Sequence, residues 1–123
     1  MEARKLLDAL IIAERLKDTT RHCYTSKGRH ESVAEHSWMM TLMAFFMRDE
    51  FPEVDMDKVI KMCIIHDLGE VFTGDIPTFD KTEGNEQNEE ALLYNWINTL
   101  PENYATEMIA LYEEMTKRET IEA

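Results

Sequence analysis

The chain has 123 residues, 44% of them hydrophobic, enough for one compact core and too few for a second. A formal net charge of -12 and a pI of 4.7 set most of the surface against a nucleic-acid backbone, which excludes a polymer partner but not a small phosphorylated molecule in one cationic cleft. Cys23 and Cys63 stand far apart without a C-x-x-C neighbour, and the N-terminal segment is charged throughout, so residues 1–123 read as a single domain of the reducing cytoplasm with neither disulfide framework, signal peptide nor membrane span.

Four glycines and three prolines leave little material for hairpins, and the apolar spacing is helical, so the expected fold is all-α with about five or six helices. Leu6, Leu7, Leu10, Ile11 and Leu16 recur at helical spacing between Glu2 and Lys17 and give a first amphipathic helix. The polar segment from Asp18 to Glu31 turns at Gly28 and reads as an irregular connection. Ser32 and Glu35 then stand in capping-box spacing, which starts a second helix. From Trp38 to Met47 only Thr41 is polar, an all-round apolar character that places this helix in the middle of the domain with His36 near its start.

A third helix is expected after FPEVD, from Met56 or Asp57 to Asp67, with Val59, Met62, Cys63 and His66 on one stripe. The stretch VFTGDIPTFDKTEGN is rich in turn residues. EQNEEALLYNWINTL and ENYATEMIALYEEMTKRE follow as two last helices with Pro101 between them. The Glu83–Glu90 run reads as a solvated helix start, and the nine methionines as core filling.

The chemistry concentrates in MCIIHDLGEVFTGDIPT. A lone histidine on an apolar stripe is more often a hydrogen-bonded core residue than a ligand, and Glu70 and Asp75, taken singly, are ordinary at a loop start. Asp67 changes the balance, because a carboxylate ending an apolar run is costly to bury without a cation or several donors. His36 and His66 from two helices, with Asp67, would supply three ligands to a divalent ion of the zinc-to-manganese range. His30 reads as a solvated turn residue and Cys63 as core.

HDLGEVFTGDIPT preceded by ESVAEHS resembles the HD-domain metal-dependent phosphohydrolases, and within them the small 5'-deoxynucleotidases. LKDTTRHCYTSKGRHESVAEHS and LYEEMTKRETIEA resemble that family's arginine-bearing segment and its late helix. The resemblance implies a compact helical HD-domain fold, usually homodimeric, in which His36, His66 and Asp67 hold a divalent ion (Mn, Co, Zn, Ni or Mg). It further implies that Glu70 and Asp75 act in catalysis, that Arg21 grips the substrate phosphate, and that Tyr24 or His22 packs on sugar or base.

The implied reaction removes the 5'-phosphate of a (deoxy)nucleoside monophosphate by attack of a metal-activated water, with Glu70 and Asp75 sharing the acid and base roles in either order. The alternative is a catalytically silent nucleotide-binding or helical dimerisation module that keeps the cleft. Phosphodiester hydrolysis of the cyclic-nucleotide or alarmone kind fits less well, since those relatives carry further domains or extra ligand histidines. The family's fourth metal ligand is an Asp on a helix after the EA motif, whereas no Asp follows Asp80 here and the sequence ends at Glu122 and Ala123. The expectation is therefore an HD domain lacking the C-terminal helices, with three protein ligands, uncovered apolar surface over 38–47 and 59–65, and self-association.

Overall fold

A computed structural model of the protein describes residues 1–74 and 82–123. In chain order it has α1 (Ala3–Ala13), a 3-10 turn (Glu14–Lys17), β1 (Thr20–Tyr24), β2 (His30–Ser32), α2 (Val33–Met47), a second 3-10 turn (Arg48–Glu50) and α3 (Met56–Ile65). The single turn α4 (Glu70–Thr73) follows, then α5 (Glu83–Ile97) and α6 (Glu102–Lys117). The helical class and the five long helices agree with the apolar spacing.

The segment from Asp18 to Glu31 differs from expectation. Its ends form an antiparallel hairpin, Thr20 opposite Ser32 and Tyr24 opposite His30, with an irregularity between the two pairs. Thr20 is β-branched and Tyr24 aromatic, residue types that fit a pleated strand. Gly28, at φ +85°, takes the left-handed turn position that a side chain would strain. The Gly28 N–H donates to the Thr25 carbonyl at 2.9 Å, and the Thr25 N–H to the Arg29 carbonyl at 2.6 Å.

β2 runs into α2 without a loop, and Ser32 ends one and caps the other. Ser32 Oγ accepts the Glu35 N–H at 3.1 Å while Glu35 Oε2 accepts the Ser32 N–H at 3.0 Å, the expected capping box. The Val33 N–H donates to the Thr19 carbonyl at 2.8 Å, which fastens the helix start to the base of the hairpin.

Two buried clusters make the core. One joins α5 and α6 through Leu93, Ile97, Ala105 and Tyr112, and the other gathers Leu16, Val33 and Leu68. Trp96 and Met108 pack against both and so connect them. Met62 and Cys63 are buried on the predicted stripe of α3.

α2 is not the central helix that its composition predicts. Only Val33, Ser37 and Ala44 are buried on it, while Trp38 and Phe46 are 61% and 71% exposed. The expected stripe on α1 also faces out: Leu6, Leu7, Leu10 and Ile11 are exposed, and only Leu16, on the following 3-10 turn, is buried. Among the described residues, no helix is long and apolar enough to cross a membrane.

Candidate metal centre

Two helices and the turn after one of them deliver the site. His36 stands in the second turn of α2, directly behind the capping box that sets the helix's direction. α3 ends at Ile65 rather than at Asp67, because the chain there changes to bonds of shorter reach: Leu68 N–H to the Ile65 carbonyl at 3.0 Å, and Glu70 N–H to the Asp67 carbonyl at 3.0 Å. His66 caps the helix and Asp67 begins the tight turn, so adjacent residues point their side chains to one place.

That place is compact. His66 Nε2 lies 2.9 Å from Asp67 Oδ2, and His36 Nε2 lies 3.6 Å from the same oxygen. One ligand atom from each of His36, His66 and Asp67 falls within 4.8 Å of the others, the only such grouping among the described residues. His66 Nδ1 donates to the Cys63 carbonyl at 2.7 Å, which fixes the ring and leaves Nε2 aimed inward. Behind this, the Tyr112 hydroxyl donates to the Ile65 carbonyl from α6 and holds the end of α3.

The electrostatics suit a cation. Burial, the largest influence, disfavours charge on His66, but the hydrogen bond and charge of Asp67 together with the bond to the Cys63 carbonyl outweigh it, and the pKa is raised. Burial is likewise the largest influence on Asp67 and opposes its charge, yet the His66 bond and the charges of His66, His36 and Arg21 together hold the carboxyl below its usual range. Both ring nitrogens of His66 face acceptors, so positive charge is favoured between Nε2 and Asp67, carried by a proton or by an ion. His36 is pushed the other way, by burial and then by the Arg21 charge, toward the neutral imidazole that a metal requires. Two imidazole nitrogens and a carboxylate oxygen are a fitting donor set for a divalent transition ion.

A family model described as HD domain matches residues 13–123. The chain belongs to the HD-domain family. It is 30% identical to the human protein named 5'-deoxynucleotidase HDDC2, over 98% of this chain and 60% of the relative. Its identity to the Dictyostelium discoideum protein of the same name is 31%, over 95% and 67%. Among solved structures it resembles a predicted metal-dependent phosphohydrolase from Magnetospirillum magnetotacticum, with a TM-score of 0.84 and 29% identity over 98% of this chain and 63% of that one. A conserved hypothetical protein from Pyrococcus furiosus gives 0.71 and 29%, over 94% and 67%. The chain thus spans about 60% of the length of the human relative.

Around this HD-domain centre the other expected site residues fall at different distances from the chemistry. Arg21 lies on β1, and its charge acts on His36, His66 and Asp67. Tyr24, at the strand's end, is 64% exposed with its ring 4.4 Å from that of His30, and His22 is exposed as well. Glu70 opens α4 one turn beyond Asp67 and is 6% exposed, outside the three-residue ligand group. Asp75 lies outside the described residues.

His30 is exposed as expected, though on a strand and not in a turn, with Nδ1 3.2 Å from the Arg21 carbonyl. The acidic run is not solvated throughout. Glu89 Oε1 accepts the Thr73 hydroxyl at 2.7 Å, and a Cβ on Gly69 would meet Glu89 Cγ at 3.1 Å. The glycine of the HD-L-G-E motif thus leaves room for the Glu89 side chain of α5 beside the turn that bears Asp67.

Sequence reasoning missed Tyr112, whose hydroxyl bonds a partner 47 positions away, and gave no role to Glu31. The signal for Glu31 was the motif itself, where it directly precedes the Ser-Val-Ala-Glu-His run.

Proposed function

We propose that this chain is a phosphohydrolase that releases the 5'-phosphate of nucleoside monophosphates, deoxynucleotides above all, with a divalent ion held by His36, His66 and Asp67. The observation that carries the reading is the convergence of those three side chains within 4.8 Å, in a family whose similar members are named 5'-deoxynucleotidase or metal-dependent phosphohydrolase. A divalent ion at such a site lowers the pKa of water and neutralises charge on phosphoryl oxygens.

The chain's own residues supply the rest. Arg21 presents a planar fork of donors to the phosphate, bidentate in a way a lysine is not. Glu70, buried one turn from Asp67, carries the proton that the departing 5'-oxygen needs, and Asp75, assigned on the motif alone, orients or deprotonates the water. Tyr24 offers an aromatic face to the sugar or base. A homodimer in the cytoplasm is part of the same reading, supported by the exposed Leu6, Leu7, Leu10 and Ile11 of α1 and Trp38 and Phe46 of α2, and by both cysteines being free thiols.

The test is a phosphate-release screen over ribo- and deoxynucleoside monophosphates with Mn, Co, Zn, Ni or Mg, beside elemental analysis. Full metal content with no phosphate released from any substrate would leave a silent nucleotide-binding module in place of an enzyme. Arg21→Lys is expected to raise KM and Asp75→Ala to lower kcat with metal retained. Normal KM and kcat in Arg21→Lys would remove Arg21 from the phosphate site.

A further inference from the structure

The hairpin gives Arg21 a fixed companion. Its Nη1 donates to Glu31 Oε1 at 2.7 Å, a short charge-assisted bond reaching from β1 to β2. The two side chains are only 27% and 25% exposed, whereas those of Arg4–Asp8 are 86% and 58% exposed and those of Arg29–Glu35 64% and 41%. Glu31 is tied to the metal centre through the backbone as well: Ser32, the next residue, caps the helix that carries His36. The pair therefore spans the two strands at the end of β2 that runs directly into that helix.

We propose that Glu31 is a positioning residue for phosphate recognition, holding one edge of the Arg21 guanidinium so that its other N–H donors face the cleft formed by His36, His66 and Asp67. This rests on the assignment of Arg21 to the phosphate made above. The guanidinium is rigid and planar, so anchoring one nitrogen fixes the direction of every other N–H on the fork. A free arginine must lose several rotamers when it binds, whereas one held beforehand has already lost them. Because Glu31 cancels the formal charge of Arg21, the pair attracts phosphate by aimed donors and not by net charge.

The rival account makes Arg21–Glu31 a staple of the hairpin alone, and a double-mutant cycle separates the two. The probe is the 5'-methylenephosphonate analogue of deoxyadenosine monophosphate, whose C–P bond is not hydrolysed, titrated into the manganese-loaded wild type, Glu31→Gln, Arg21→Ala and the double variant. Glu31→Gln is expected to weaken binding by about tenfold, the order of one newly immobilised side chain, and to raise KM more than it lowers kcat. In the Arg21→Ala background the same change should have almost no effect, and Glu31→Asp should recover part of the lost affinity.

Unchanged binding in Glu31→Gln, the same loss with and without Arg21, or a Glu31→Gln protein that also loses its metal would each overturn the proposal. Wild-type turnover, measured in parallel, is independent of it. Binding with the expected coupling but no hydrolysis would sink the enzyme reading and keep this one, and hydrolysis without the coupling would do the reverse. A wild type that does not bind the analogue would overturn this proposal, and one that also releases no phosphate from any monophosphate would end both.

Discussion

The two ends of α2 are about 20 Å apart at 1.5 Å per residue and obey different rules. At the first, Ser32, Glu35, Arg29 and Thr19 fasten the backbone with capping, ionic and main-chain bonds, Val33 is fully buried, and His36 is aimed at Asp67. At the second, Met43, Phe45, Phe46 and Met47 are apolar and exposed. The first end is polar in sequence and rigidly determined in space, and the second is greasy and barely covered. Hydrophobic composition therefore does not locate the centre of a domain: burial depends on which neighbours a helix has.

The largest effect expected is at the polar end. Asp67→Ala should weaken metal binding by on the order of 100-fold or more, since even partners outside the ligand set cost tenfold to a hundredfold. Elemental analysis checks it, and unchanged occupancy would take Asp67 out of the ligand set. Next comes Val33→Ala, which opens a cavity at a fully buried position and should cost about 2 kcal/mol of stability, read as a lower denaturation midpoint. Ser32→Ala removes one half of the capping box and should cost about 1 kcal/mol, with a visible drop in Tm. The smallest change belongs to the apolar end. Phe46→Ala, at 71% exposure, should shift unfolding of the isolated chain by no more than about 0.5 kcal/mol, while sedimentation should show less self-association than in the wild type. A loss at Phe46 comparable to that at Val33 would erase the contrast between the two ends.

The site was more legible in the sequence than its surroundings. His36, His66 and Asp67 could be read because Asp67, a carboxylate ending an apolar run, is costly to bury without a cation and so changes the reading of the two histidines, and their convergence follows from one capping box and one helix end. The hairpin was not legible, since Thr20–Tyr24 is too short and too polar to show alternation, and its pairing with His30–Ser32 is a contact between segments. The outward stripe of α1 was misread for a related reason: periodicity marks one face as apolar without saying what covers it. Tyr112 was invisible, because a tyrosine in an amphipathic helix looks like core until its hydroxyl is seen to reach the Ile65 carbonyl.

That last bond links the candidate metal centre to the cooperativity of the fold. A turn such as 66–69, held by bonds of short reach, would ordinarily open on its own and exchange its amide protons quickly. Here its first carbonyl is fastened to Tyr112, a member of the cluster that joins α5 to α6. Releasing the turn requires α6 to let go, so the amides of Leu68 and Glu70 should exchange with the slow α6 core and not with the loops. The His66–Asp67 doublet then shares the lifetime of the helix pair behind it.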